Sequence, residues 1–377
     1  MYEEVLVCDK DMCTGCGLCI NICPVNAIEL RDLMYAQNAV IDSEKCIKCN
    51  RCHLKCPQKV SLKTNKPIEW YQGWIDNSQE RKRSSSGGIA YALAKGIIKE
   101  GGFVVSCLLR DGEFTFLATQ DEEELKNFRG SKYVKSDPKD VYKTVKELLQ
   151  EGNHVLFIGL PCQIAGIRSY IGEGLDANLI TVDLICHGTP SIKLLKRFLE
   201  QYDINLEKVN TISFRGKGKN FSISTDIKII GPRQIYDRYT LAFLNALSYT
   251  DNCYNCKYAS LGRVSDITLG DSWGSDLASE EACGISLILC QSKKGIALLR
   301  DSDIIKKPVN LHNAIRNNHQ LSRPCVPHKK RERFFQLLDG GKKFNKAVLL
   351  CLPKDCLRQD VKRALLPVMQ KVKRNVE

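Results

Sequence analysis

No apolar run in this chain approaches the ~20 residues that a membrane-spanning helix needs. The opening Met1-Tyr2-Glu3-Glu4 is acidic and shows no apolar signal region. A membrane-spanning class is therefore not expected. Neither is an exported disulfide scaffold, which pairs a short chain with a signal region. No G-x-G-x-x-G follows a strand-like run, so the usual dinucleotide fingerprint is missing. The basic stretches lack interleaved aromatics for stacking bases, and no reading motif is present, so nucleic acid is not an expected partner. The expected setting is a reducing cytoplasm. At 377 residues and 43% hydrophobic content, the chain reads as a globular protein of two or three domains.

What the chain has in quantity is cysteine, 19 residues in all. Cys13, Cys16, Cys19 and Cys23 form C-x2-C-x2-C-x3-C with Pro24 next. Cys46, Cys49, Cys52 and Cys56 repeat the pattern with Pro57 next. This spacing resembles that of bacterial two-cluster ferredoxins. Three cysteines in a tight run wrap one cubane, and the fourth reaches the other. Cys13, Cys16, Cys19 and Cys56 are therefore assigned to one [4Fe–4S] cluster, and Cys46, Cys49, Cys52 and Cys23 to a second. Zinc is the competing metal, but it rarely takes a doubled run with this offset.

The net charge of +13 is uneven: residues 328–377 hold fourteen Lys or Arg and five Asp or Glu, whereas residues 1–66 hold nine and eight. The C-terminal basic segment is either a docking element for an acidic partner or a membrane surface, or a solvated helical face. The second reading is favoured, and an oligomer is compatible with the sequence.

The expected fold class is mixed α/β (α+β), a small ferredoxin-like module followed by an α/β body. Residues 1–66 form the module, with short strands at Ala27–Leu30 and Ala39–Asp42. Residues 67–86 read as a linker, 87–190 as the first part of the body, 191–330 as a β-rich second part, and 331–377 as a basic helical tail broken at Gly340-Gly341, Pro353 and Pro367. Ser84-Ser85-Ser86-Gly87-Gly88 precedes a helix over Ile89–Glu100. Strands are expected at Phe103–Leu109 and Phe114–Ala118, and a helix at Val141–Gln150. The apolar run His154–Leu160, a helix to Ile171 and a strand at Leu179–Cys186 read as a β-α-β unit. Beyond it a helix over Ser191–Tyr202 precedes strands at Thr211–Arg215, Phe221–Ile230, Asp266–Leu269 and Gly284–Cys290.

Cys162 and Cys186 end neighbouring strands of that unit and are expected to converge, and Cys253-x2-Cys256 is a compact two-ligand turn. Two plus two thiolates suffice for a third [4Fe–4S] cluster, with zinc or inert buried thiols as the alternatives.

Residues 84–330 also resemble a known family, the beta subunits of coenzyme F420 hydrogenases and dehydrogenases. The matching blocks are Ser85–Ala90, Arg129–Tyr133, Gly159–Gln163, Ile185–Gly188, Cys253–Cys256 and Asp266–Trp273. The resemblance implies FAD beside an iron–sulfur cluster, with Cys162, Cys186, Cys253 and Cys256 as its ligands. Ser85, Ser86, Gly87 and Gly88 at a helix start suit a pyrophosphate or serve simply as a cap. Lys132 is expected at the flavin, Asp271 and Trp273 on the pocket wall, and His187 as a proton donor or as a turn-stabilising histidine.

The expected function is an iron–sulfur flavoprotein oxidoreductase that reduces a small organic substrate with electrons from ferredoxin. The alternatives are a coenzyme F420 dehydrogenase or reductase, an electron-transfer subunit without its own substrate, and a zinc scaffold without redox activity.

Overall fold

The computed structural model describes residues 4–216, 220–232 and 234–374. The module contains α1 (Leu18–Ile22), an antiparallel pair β1 (Ile28–Asp32) and β2 (Gln37–Ile41), and α2 (Arg51–Lys55). Its small core is built largely from its own cysteines with Val7, Ile28, Ala39 and Ile41.

The body is organised on one eight-stranded mixed sheet. After β3 (Glu69–Ile75) come α3 (Ser78–Arg83), α4 (Ile89–Lys99), β4 (Phe103–Arg110) and β5 (Glu113–Thr119). Next are α5 (Leu125–Phe128), α6 (Val141–Gln150), β6 (Val155–Gly159), α7 (Pro161–Ile171) and β7 (Leu179–Leu184). Then follow α8 (Ile192–Glu200), β8 (Ile212–Arg215), β9 (Phe221–Thr225), α9 (Arg238–Leu244) and α10 (Asp251–Tyr254). The strands β10 (Ile267–Asp271), β11 (Ser286–Cys290) and β12 (Ile304–Lys307) complete the sheet in the order β12-β3-β11-β10-β7-β6-β4-β5. β4, β6, β7 and β10 run parallel. Every residue of β6 and β11 is buried, as continuous apolar runs inside a covered sheet require. The apolar face of α4 (Ile89, Leu93, Ala94, Ile97) packs on β4 and β6 in the same core.

Three expectations are corrected. The stretch 67–86, expected to be a linker, holds β3 and α3. β3 pairs with β11 and β12, more than 200 residues on, so nothing local signals it. Residues 191–330, expected to be β-rich, hold more helix than strand. β10, β11 and β12 extend the sheet begun by β3 to β7, and only β8 and β9 form their own pair. The basic tail is not an appendage either. Helices Arg331–Asp339 and Phe344–Cys351 bury Phe334, Leu338, Phe344 and Val348 against Phe198 and Tyr239. A last helix, Pro353–Arg374, continues through Pro367, which removes one helical hydrogen bond without ending the helix.

Ending the chain at Lys330 removes several fully buried side chains, each worth about 3–5 kcal/mol as a large-to-small change. That exceeds a typical stability margin of about 5–15 kcal/mol. The truncated protein is expected to show no cooperative thermal transition, as checked by circular dichroism. A sharp native-like transition would mean the tail is dispensable.

Candidate functional site

The module's cysteines line two separate cavities. One is walled by Cys13, Cys16, Cys19 and Cys56, with Cys8 beside them. The other is walled by Cys23, Cys46, Cys49 and Cys52. The crosswise exchange of the fourth cysteine has a local cause. A residue before proline is driven out of the helical region. Cys23 and Cys56 accordingly leave α1 and α2 in extended geometry, ψ 116° and 120°. Each is thus carried past its own loop to the other cavity. The two cavities differ in exposure. Cys13, Cys16, Cys19 and Cys56 are buried, whereas Cys49 is exposed.

The third set lies in the body. β6 and β7 are parallel neighbours, so their C-terminal ends lie side by side. Cys162 opens α7 there, and Cys186 follows β7. α10 brings Cys253, with Cys256 just beyond it. Burial raises the Cys162 thiol well above its ordinary range, and the charges of Cys186, Cys256 and Cys253 add to the rise. Burial likewise pushes Cys186 up to about 12, with Cys253 and Cys256 contributing. Burial raises Cys256 as well, with Cys253 adding to the rise, and thiols gathered in this way hold their charged form best beside positive charge. Each module cavity is walled by four cysteines, and the body set offers four more. All-thiolate sets of four are the donor chemistry that [4Fe–4S] clusters take, so the residues present fit that group.

The inner module cavity and the body set are joined through α7. Gly166 lies one turn beyond Cys162. A Cβ there would sit 3.2 Å from Cys16 Cβ and 2.7 Å from Tyr142 Oη. The missing side chain lets the two cysteine sets approach, and Cys16, Cys162, Cys256, Tyr142 and Tyr258 share one packed cluster.

Beside the body set opens a cavity of about 560 Å³, within the range of cofactor pockets. Cys186 and His187 form part of its wall. Ser85, Ser86, Gly88, Lys132, Asp271 and Trp273 line it too, so the sequence candidates are brought together. Gly87 lies behind the wall and donates to Ser286 Oγ. Ser85 Oγ accepts from Ser131 N–H, and Ser86 Oγ donates to the Ile285 carbonyl. The serine hydroxyls thus hold the loop. The eleven-residue α4 starts at Gly88, at φ 84° and with no side-chain cap, which leaves its first N–H groups at the pocket edge.

The Lys132 ammonium donates to the carbonyls of Phe128, Arg129 and Gly130 at 2.9–3.2 Å, and burial lowers its pKa. His187 Nδ1 lies 2.6 Å from Gln320 Nε2. Burial, then the neighbouring His319, pushes His187 down to about 4, so it is neutral near pH 7. Asp271 is held by Arg215 in an ion pair of 2.7 Å, and the guanidinium lies over Phe221. Arg215 and Gln320 line or support the pocket and were not singled out from sequence. Their partners are 56 and 133 residues away, and no motif marks them.

Residues 152–308 match the C terminus of the coenzyme F420 hydrogenase/dehydrogenase beta subunit, and residues 12–60 match a 4Fe-4S dicluster domain. The chain therefore joins a 4Fe-4S dicluster domain to a C-terminal domain of the family of coenzyme F420 hydrogenase/dehydrogenase beta subunits. It is 23% identical over 295 residues to a subunit of the F(420)H(2) dehydrogenase of Methanosarcina mazei, covering 71% of this chain and 79% of that one. It is 24% identical over 336 residues to the coenzyme F420-dependent sulfite reductase of Methanocaldococcus jannaschii, covering 82% of this chain and 49% of the relative. A chain of the F420-reducing [NiFe] hydrogenase complex from Methanosarcina barkeri shares the fold, with TM-score 0.50 and 20% identity over 68% of this chain and 91% of that one. No helix among the described residues is long and apolar enough to cross a membrane.

Proposed function

We propose that this protein is an iron–sulfur flavoprotein oxidoreductase that exchanges electrons between a protein carrier and a deazaflavin of the coenzyme F420 type. The observation that carries this reading is the order of the sites: exposed module cavity, buried module cavity, body cysteine set, pocket. When bound, the clusters supply one-electron transfer and FAD interconverts single electrons and hydride. The chain's own residues do the rest. The uncapped start of α4 offers backbone N–H groups to a pyrophosphate. Arg215 and Asp271 hold the far wall, and Cys186 brings the body set to the cavity edge. The relatives named for coenzyme F420 favour a deazaflavin as the hydride partner.

The carrier docks over the outer cavity. In the segments flanking exposed Cys49, Lys48, Arg51, Lys55 and Lys59 are exposed together with Ile47 and Leu54, while Lys45 pairs with Asp42 at 3.1 Å. A basic rim with an apolar centre fits an acidic one-electron carrier such as ferredoxin. This surface, rather than the C-terminal segment, is the docking element. The double variant Lys48→Glu with Arg51→Glu should slow electron exchange with ferredoxin at least about tenfold at low salt while keeping its iron. Unchanged rates at low salt would place docking elsewhere.

The reading is tested by supplying oxidised coenzyme F420 and reduced ferredoxin to the anaerobic protein. Bleaching of the deazaflavin is expected. Protein with full iron and flavin that leaves it coloured would point to a different organic substrate fed by the same relay.

A further inference from the structure

Lys135 is the least expected charge in the molecule. It is only 7% exposed. A buried ammonium is normally paired with a carboxylate, because unpaired burial is strongly unfavourable. Among the described residues no carboxylate pairs with it. Its Nζ donates instead to the carbonyl of Thr14 at 3.0 Å and to Asn252 Oδ1 at 3.3 Å. Its own backbone N–H donates to the Pro190 carbonyl, which fixes the stem.

Both side-chain contacts lie in cysteine loops. Thr14 stands between Cys13 and Cys16 of the buried module cavity. Asn252 precedes Cys253 of the body set, accepts from Thr250 Oγ1 at 2.8 Å, and places its own Nδ2 3.7 Å from Cys253 Sγ. One ammonium thus ties the loops of two different cysteine sets. Its charge therefore lies at the edge of both sets. The negative charge that such a cation needs is then what two sets of cluster-bound thiolates supply.

We propose that Lys135 is a shared counter-ion between the inner module cluster and the body cluster, raising the reduction potential of both while holding their loops in register. The inference rests on the three-cluster reading above. A fixed positive charge stabilises the more negative, reduced form of each cluster, and net charge and hydrogen bonding are levers by which a protein sets cluster potential. The outer cluster, held by Cys23, Cys46, Cys49 and Cys52, has no contact with Lys135 and keeps its potential. Lys135 therefore acts as a positioning residue that keeps two neighbouring clusters matched for transfer in either direction.

The test is potentiometric titration of the full-length protein followed by electron paramagnetic resonance, with iron counted on the same samples. Lys135→Met and Lys135→Gln should keep about twelve irons per chain. At a fixed solution potential, the reduced-to-oxidised ratio of two of the three clusters should fall about tenfold, a shift of 59 mV for a one-electron couple. Lys135→Arg should restore it, and the third cluster should not move. Full iron with unchanged potentials in the methionine variant overturns the proposal, and so does an equal shift of all three clusters. If both neutral variants lose iron, the arginine variant decides. Full iron and native potentials support a charge role, whereas lost iron reduces Lys135 to a packing link and ends the proposal. Wild-type protein holding only eight irons sinks the three-cluster reading itself, before any variant is considered.

Discussion

Replacing Cys253 by serine is expected to lower iron from about twelve to about eight atoms per chain. The two module clusters should keep their signals, because Cys253 lines neither module cavity. Electron transfer between module and pocket should drop by two orders of magnitude or more, since the pocket wall then has Cys186 but no complete cluster behind it. Iron analysis and rapid-mixing absorbance on one preparation check both parts. Unchanged iron would show that Cys253 is not a ligand. The loss should stay local: Cys253 is half-buried, and Thr250, Thr189 and Asn252 keep their other hydrogen bonds around it. A fall to zero iron would mean that the site organises the fold rather than the relay.

Replacing Gly166 by valine should produce the complementary result, with full iron and a broken connection. The new Cβ would meet Tyr142 Oη at 2.7 Å, closer than real side chains come, and would press on Cys16 Cβ at 3.2 Å. Overpacking of this kind typically costs about 1–3 kcal/mol, which the fold can absorb by letting the module ride away from α7. The cysteines stay bonded to their irons, so the count remains near twelve. Transfer from the outer carrier to the pocket slows steeply, whereas direct chemical reduction of the module does not. An alanine at the same position should give a smaller effect. A valine variant with native transfer rates would show that the α1–α7 contact does not set the distance between the clusters.

Much of this arrangement was legible in the sequence, and the reasons are physical. The x3 gap and the following proline specify the crosswise exchange of Cys23 and Cys56 through backbone sterics alone. Apolar runs of strand length around a helical segment gave the β6-α7-β7 unit nearly to the residue, and with it the meeting of Cys162 and Cys186. What stayed hidden depends on distant partners. β3 looks like a linker because Pro67 and a basic run flank it, and only β11 and β12 make it a strand. The C-terminal segment looks like a charged tail because Lys and Arg dominate its composition. Its apolar minority, Phe334, Leu338, Phe344 and Val348, closes the core around Phe198. Lys135 sits three residues after the notable Lys132 and reads as one more surface lysine. Its burial follows from the docking of the module on the body, which no local pattern encodes. Arg215 is hidden in the same way, since its partner Asp271 lies on another strand.

The central claim is that thiolates from two parts of one polypeptide hold three four-iron clusters leading to a flavin pocket. The most direct measurement is the joint count of iron, acid-labile sulfide, zinc and FAD in one anaerobically purified sample of the full chain. The account predicts about twelve irons, about twelve sulfides, one FAD and no stoichiometric zinc. Eight irons with no flavin, or zinc in place of the third cluster, would contradict it.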